Sequence, residues 1–434
     1  MNLTIEIAQE NEAKQIPVLP KVPVLKFLFF LIWPFGALLS AIKNFRKPYS
    51  KTILWLFCVY FGFVFIYANP YGKGGADSAR YSRQLMELHN SPISFQSLKS
   101  MLYNPRSGLT DIYQPILTWF VSVFTGDPRI LFAIFATIFG FFWTQNLWLI
   151  FSRINIRVEI LLLLFMLGYA LVNPIWNING VRMWTAAQIY LYGVLIYLLE
   201  EKKIGLIWVA SSVLVHFSFM FPAALFITYL FLPKFIWIYF TFFIVTSFIR
   251  EIDLKAVRDA LSYLPEIFQT RIESYTNEEY VKSFTEKGTQ LSWHVKFSQI
   301  GGRAIIYLWI FYLFFNKDQW DYYSFNISKI FKLGLFIGGF AQLASLLPSG
   351  GRFINVVYSL IYAVVILCIS EFKTERIPWL LKMITIPVIV FLILFNMRVG
   401  FDYIGILVFV GNPILALFIS DQTPLIYFIK QLVL

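Results

Sequence analysis

The sequence predicts an all-α, polytopic integral membrane protein of roughly 12–14 transmembrane helices with two long extracytoplasmic loops. Three observations predict it. Of 434 residues, 58% are hydrophobic and only 14% charged, against about 25% charged in a soluble domain. Mean hydropathy is +0.67. Apolar runs approaching or exceeding the roughly 17 residues of a short membrane span recur along the whole chain. These features exclude a soluble enzyme, a disordered chain and a secreted disulfide scaffold. The basic excess, 36 Lys and Arg against 24 Asp and Glu, comes with a membrane-grade apolar background, so no nucleic-acid partner is expected. Cys58 and Cys368 lie inside apolar runs and read as packing residues. No cluster of carboxylates or thiolates marks a metal site, and no cofactor is expected.

The chain opens with an N-terminal tail, 1–23, containing Pro17, Pro20 and Pro23; residues 24–434 form a single polytopic domain. Its first run, Val24–Ile42, leads into Lys43, Arg46, Lys47 and Lys51 without a small-residue cleavage site, so it reads as a span and not a removable signal. Thr52–Ala68, Ile130–Phe151, Val158–Val172, Val181–Leu199, Ile204–Phe221 and Phe235–Ile249 follow as candidate spans. Phe297–Phe315, Ile330–Leu347, Phe353–Ser370, Ile377–Phe395 and Ile404–Ser420 complete the series. Two shorter stretches, Ile112–Thr125 and Pro222–Leu232, are short spans or helices that enter and turn back. Two polar loops, 69–111 and 250–296, hold the remaining mass. In the second, Leu254, Val257, Leu261 and Leu264 recur at helical spacing, which predicts an amphipathic helix over the bundle.

Orientation follows from the basic residues of short loops. With Ile112–Thr125 not crossing and Pro222–Leu232 crossing, one side receives Lys43, Arg46, Lys47, Lys51, Arg153, Arg157, Lys202, Lys203, Lys234, Lys317, Lys329, Lys332, Lys373, Arg376, Lys382 and Lys430. The other side receives only Arg129, Arg182, Arg352 and Arg398 in short loops. The first side is therefore cytoplasmic. Both long loops and the N-terminus fall outside, and the C-terminus inside.

Ionisable groups that defy this asymmetry are candidates for chemistry, because charge at membrane depth is costly and usually faces a bundle interior or wet cavity. Arg182 lies in Asn177-Ile-Asn-Gly-Val-Arg182-Met-Trp184, Arg352 in Pro348-Ser-Gly-Gly-Arg352, Arg303 after Gly301-Gly302, and His216 inside the outer end of its span. Arginine forks beside glycine turns match phosphate oxygens; the plain alternative is snorkelling to the headgroups. For His216 the plain alternative is packing. The segment Gly72-Lys-Gly-Gly-Ala-Asp77-Ser-Ala-Arg80-Tyr81-Ser-Arg83 follows a span, and Asp77 and Tyr81, four apart, share a helix face beside Arg80. Such a set suits a sugar and a phosphate; alternatively, Asp77 merely complements a helix N-terminus.

The ordered motifs Gly75-Ala-Asp77-Ser-Ala-Arg80-Tyr81, Asp111-Ile-Tyr-Gln-Pro115, Asn179-Gly-Val-Arg182-Met-Trp-Thr-Ala186 and His216-Phe-Ser218 resemble the EpsG family of polysaccharide-export proteins, relatives of the Wzy O-antigen polymerases. The likeness covers roughly residues 24–222 and extends loosely to Gly350-Gly-Arg352 and Tyr358. The family's usual Gln after the helix arginine is Met183 here. Its frequent Glu before the proline is Gln114, so no acidic role is expected there.

The resemblance implies a GT-C-like membrane glycosyltransferase in the bacterial inner (plasma) membrane. It would polymerise oligosaccharide repeat units carried on undecaprenyl pyrophosphate at the outer face, with a chain-length regulator or other assembly proteins as possible partners. In that chemistry Arg80, Arg182 and Arg352 meet the pyrophosphate charge, Tyr81 and Tyr358 line the substrate, and His216 or Asp77 orients or deprotonates the attacking hydroxyl. The alternatives are a flippase for the same lipid-linked glycan or a membrane acyltransferase using His216. A flippase is expected to show paired broken helices.

Overall fold

The computed structural model of the protein describes residues 21–67, 77–102, 111–233, 235–263, 275–317, 325–372 and 377–433, with 269, 272 and 273. Regular structure among them is helical, with no strand. In chain order the helices are α1 (Val24–Ile32), α2 (Pro34–Lys43), α3 (Pro48–Phe63), α4 (Asp77–Asn90), α5 (Phe95–Leu102), α6 (Tyr113–Ser122), α7 (Pro128–Phe151), α8 (Ile160–Val172), α9 (Val181–Glu200), α10 (Ile204–Val215) and α11 (Met220–Phe231). They continue with α12 (Ile236–Ser247), α13 (Leu254–Leu261), α14 (Glu278–Thr289), α15 (Trp293–Phe315), α16 (Phe325–Ala344), α17 (Phe353–Phe372), α18 (Trp379–Gly400), α19 (Leu407–Val410), α20 (Pro413–Phe418) and α21 (Leu425–Val433).

Six helical runs among the described residues are long and apolar enough to cross a membrane: Pro128–Phe151, Ile160–Glu200, Trp293–Phe315, Asn326–Ala344, Gly350–Glu371 and Trp379–Gly400. The protein is a multi-pass membrane protein. Several other expected spans are shorter helices, among them Ile204–Val215 and Ile236–Ser247.

Contacts sort the helix ends into two poles. At one, Arg46 Nη2 donates to the Ile156 carbonyl at 2.5 Å, Arg153 meets Glu200 at 3.5 Å, Lys202 meets Glu200 at 2.9 Å, and Lys329 meets Glu201 at 3.2 Å. All four cations belong to the set that the sequence places on a single side. At the opposite pole, Ile66 N–H donates to the Tyr403 carbonyl at 3.1 Å, and Asn179 Nδ2 donates to the Tyr403 hydroxyl at 3.0 Å. Helices α9 and α10 approach closely: a Cβ on Gly193 would stand 2.6 Å from the Gly205 carbonyl oxygen, so only glycine admits this backbone contact.

Two expected spans are broken into hairpins. Within Val24–Ile42, Lys26 Nζ donates to Ser40 Oγ at 3.3 Å and lies 6.0 Å from the Tyr49 ring. A straight helix would hold residues 26 and 40 about 21 Å apart. Pro34, with no N–H to offer and a ring that clashes with the preceding turn, ends α1 at Trp33, and α2 folds back beside it. Ile404–Ser420 breaks in the same way at Gly411-Asn412-Pro413, where Asn412 Oδ1 caps Ile414 N–H at 3.0 Å and Leu415 N–H at 2.9 Å. Both its flanks return to one pole, since Tyr67 N–H donates to Gln422 Oε1 at 3.0 Å beside the Ile66–Tyr403 bond.

The two hairpins therefore enter from opposite poles and meet. Trp33 Nε1 donates to the Phe409 carbonyl at 2.6 Å, and the Phe35 and Phe409 rings stand 4.9 Å apart, edge to face. Pro413 has no N–H for the Phe409 carbonyl, so Trp33 supplies the donor that the break removes, as a membrane interior demands, and Tyr60 OH adds a bond at 2.6 Å to the Leu407 carbonyl. Val24 lies at the basic pole and Leu425, whose N–H donates to the Ile404 carbonyl at 2.8 Å, at the opposite one.

Candidate functional site

Asp111 is the centre of the pole opposite the basic one. Its side chain is 1% exposed, and three donors converge on it from two other segments. Arg182 Nη1 reaches Oδ2 at 3.0 Å, His216 Nδ1 lies 3.1 Å from Oδ1, and Phe217 N–H donates to Oδ1 at 2.8 Å. Local sequence explains each position. Arg182 occupies the first turn of α9, after the Asn177–Gly180 turn. His216 adopts an extended conformation, φ −147° and ψ 117°, which ends α10 and frees Phe217 N–H from helical bonding. Helix α10 is about 18 Å long, shorter than the about 30 Å of hydrocarbon, and the segment carrying Asp111 meets its end.

Ile112–Thr125 behaves as the non-crossing alternative. Helix α6 runs alongside α4, with Gln114 Nε2 donating to Gln84 Oε1 at 3.0 Å and His89 Nδ1 2.8 Å from the Ser122 carbonyl. Gln114 is thereby a bridge between helices. Arg182 Nε donates to the Tyr81 hydroxyl at 3.3 Å, and the Tyr81 ring is buried against Phe135. Tyr81, Asp111, Arg182 and His216 thus form one connected cluster drawn from α4, the start of α6, α9 and the α10–α11 turn.

Electrostatics fixes the charge of the centre. Burial opposes ionisation of Asp111, but the His216 hydrogen bond and charge, the Arg182 charge and the Phe217 N–H outweigh it and hold the carboxyl below the ordinary carboxylate range. An ionised Asp111 needs a proton on His216 Nδ1 for their hydrogen bond. In the neutral ring this leaves Nε2 as a base with no protein partner among the described residues.

The structure separates the other expected site residues. Asp77 and Arg80 pair with each other at 3.0 Å on the exposed side of α4. Among the described residues Asp77 makes no hydrogen bond to Asp111, Arg182 or His216, but its charge acts on Arg182, and the Arg80 guanidinium lies 5.4 Å from the Tyr81 ring. Arg352 is exposed at the start of α17, one residue from Phe353, whose ring packs 6.0 Å from Phe219 and 5.3 Å from Phe221. Its glycine turn has a packing cause: a Cβ on Gly350 would stand 1.8 Å from the Ala344 carbonyl oxygen, and Gly350 N–H is spent on the Leu347 carbonyl at 3.1 Å. Tyr358 faces Arg303 of α15. Arg129 and Arg398 are neutralised by Asp127 and Asp402, at 2.7 and 2.8 Å. The Gly72–Gly75 turn lies outside the described residues.

The residue that sequence reasoning left out of the site is Asp111 itself. Its signal was a lone carboxylate at the junction of a polar loop and an apolar helix, where charge burial is costly enough to need a partner. No family model, curated protein or solved structure matches the chain.

Proposed function

We propose that the protein is a membrane glycosyltransferase that polymerises oligosaccharide units carried on a polyprenyl pyrophosphate such as undecaprenyl pyrophosphate, at the membrane face opposite its basic pole. The observation that carries this reading is the Asp111–His216 pair with Arg182 on the same carboxylate. The positive-inside preference makes the basic pole cytoplasmic and puts the site outside. The folded-back α1–α2 hairpin adds Lys26 to the basic side.

The chemistry divides among these residues. His216 Nε2 accepts the proton of a sugar hydroxyl on the incoming unit, while Asp111 holds Nδ1 and stabilises the imidazolium that forms. The hydroxyl oxygen attacks the anomeric carbon of the chain, the bond from that carbon to pyrophosphate breaks, and the electron pair leaves on the lipid pyrophosphate. Arg182, oriented by Asp111 and Tyr81, meets the charge that develops there, with Arg352 and Arg80 available further out.

A flippase for the same glycan is the second reading, and the opposed α1–α2 and α19–α20 hairpins favour it, since broken-helix pairs are frequent in transporters. Deletion in cells distinguishes the two. A polymerase loss removes long polymer and leaves single lipid-linked units on the outer face; a flippase loss traps them on the cytoplasmic face. Unchanged polymer length and yield in Arg182→Ala and Arg352→Ala would refute the polymerase reading.

A further inference from the structure

A line of polar residues runs from the Asp111 centre into the apolar interior, towards the basic pole. On α9, Arg182, Thr185 and Gln188 recur every three residues and share one side of the helix. Tyr113 of α6 faces Thr185. One turn further in, Asn146 Nδ2 of α7 donates to the Gln188 carbonyl at 2.9 Å and to Gln188 Oε1 at 2.7 Å, and Gln188 Nε2 donates to the Asn173 carbonyl at 3.1 Å. The next residue of α7, Gln145, accepts from Lys51 Nζ of α3, which lies in the field of Glu200 at the basic pole. Thr185, Gln188, Asn146 and Gln145 are each at most 3% exposed.

This line is well bonded along its backbone contacts and open at its side chains. Among the described residues seven buried side-chain atoms have no hydrogen-bond partner, and four of them stand on it: Tyr113 OH, Thr185 Oγ1, Gln145 Nε2 and Asn146 Oδ1. The Tyr113 hydroxyl and Thr185 Oγ1 lie close enough to interact, but no hydrogen bond of good geometry joins them. Buried polar atoms in a low-dielectric interior are ordinarily satisfied by protein or by water. The four offer what a water needs, with a donor at Gln145, an acceptor at Asn146 and hydroxyls that serve as either. At the outer end Arg182 is paired with Asp111; at the inner end Lys51 lies in the field of Glu200, which itself pairs with Arg153 and Lys202.

We propose that this seam is an internal water-binding site, with waters held beside the Tyr113–Thr185 pair and at Gln145 and Asn146. They give the buried flank of the Asp111–His216 centre an aqueous connection that does not pass through its mouth. The inference rests on packing and bonding alone and is independent of the glycan chemistry.

Radiolytic hydroxyl-radical footprinting of the purified full-length protein in nanodiscs, in H₂¹⁸O, tests it, because radicals born from bound water label adjacent side chains that bulk solvent does not reach. Tyr169, 6% exposed with its hydroxyl 3.4 Å from the Asn146 carbonyl, is the probe at the inner end, and Tyr113 at the outer end. Tyr190, 0% exposed and bonded to the Pro222 carbonyl at 3.0 Å, is the dry comparator. Tyr169 is expected to oxidise at least about tenfold faster than Tyr190, while partly exposed Tyr113 is read by its change in the variant. Thr185→Val, which keeps side-chain shape while removing the hydroxyl, should slow Tyr113, and Asn146→Leu should slow Tyr169. Labelling of Tyr169 as slow as Tyr190, or of both probes unchanged in both variants, would overturn the proposal.

Discussion

His216 Nδ1 and Asp111 Oδ1 stand 3.1 Å apart although 105 residues separate them in the chain. The contact joins the α10–α11 turn to the inner start of α6, and Arg182 shares the carboxylate from α9. Replacing Asp111 by Ala leaves three donor groups, Arg182, His216 and Phe217 N–H, facing a buried gap, which should cost about 3–5 kcal/mol of stability, read by thermal unfolding in detergent. Asp111→Asn preserves the volume but removes the charge that holds Nδ1–H. Polymer formation in that variant should fall by about 10²-fold or more.

Asp111 also sets a pH dependence. Its carboxyl is held below the ordinary range, so the folded state binds its proton less readily than the unfolded chain does. The stabilisation is therefore fully present above the ordinary carboxylate value and is lost as pH falls through the depressed one. Thermal unfolding against pH should show an acid-side loss of stability that is smaller in Asp111→Asn than in the natural protein.

The Gly350–Gly351 pair should be sharply unequal. A Cβ at Gly350 collides with the Ala344 carbonyl oxygen at 1.8 Å, whereas at Gly351 the nearest atom is Ser345 Cβ at 4.0 Å. Gly350→Ala should lower the melting temperature by several degrees, since about 1 kcal/mol corresponds to about 2–4 °C in large domains. Gly351→Ala should leave it close to the natural value. Equal effects would mean that the turn is not set by its packing on α16.

The hairpins predict a labelling pattern. Cys58 and Cys368 are buried, so single cysteines introduced at exposed positions report topology against a quiet background. Val24→Cys and Lys43→Cys should react with a membrane-impermeant thiol reagent from the same side, and Ser420→Cys from the other. A crossing Val24–Ile42 span would instead separate the first two.

The sequence made the membrane class, the two poles and three members of the site cluster legible, and physical reasons set where it stopped. Apolar composition reports that a segment avoids water, not whether it crosses or returns, and so Val24–Ile42 read as one span although Pro34 folds it back against Lys26 and Ser40. Arg182 and His216 stand out because charge at membrane depth is costly, and Tyr81 because it stands four residues from Asp77 on one helix face. Asp111 lay at the edge of a polar loop, where a carboxylate is unremarkable until the fold buries it under three donors. Asp77 showed the opposite case. It shares a helix face with Tyr81 by spacing, but its charge is satisfied by Arg80 one turn on.

The central claim is tested most directly by purified protein in nanodiscs given a synthetic polyprenyl-pyrophosphate-linked repeat unit, with release of free polyprenyl pyrophosphate and chain length read by mass spectrometry. Products of two or more units should form with one pyrophosphate lipid released per linkage. His216→Gln and Arg182→Ala should abolish them, while the exposed-pair variant Asp77→Asn retains product. Formation of dimers and longer chains by His216→Gln at the natural rate would contradict the account.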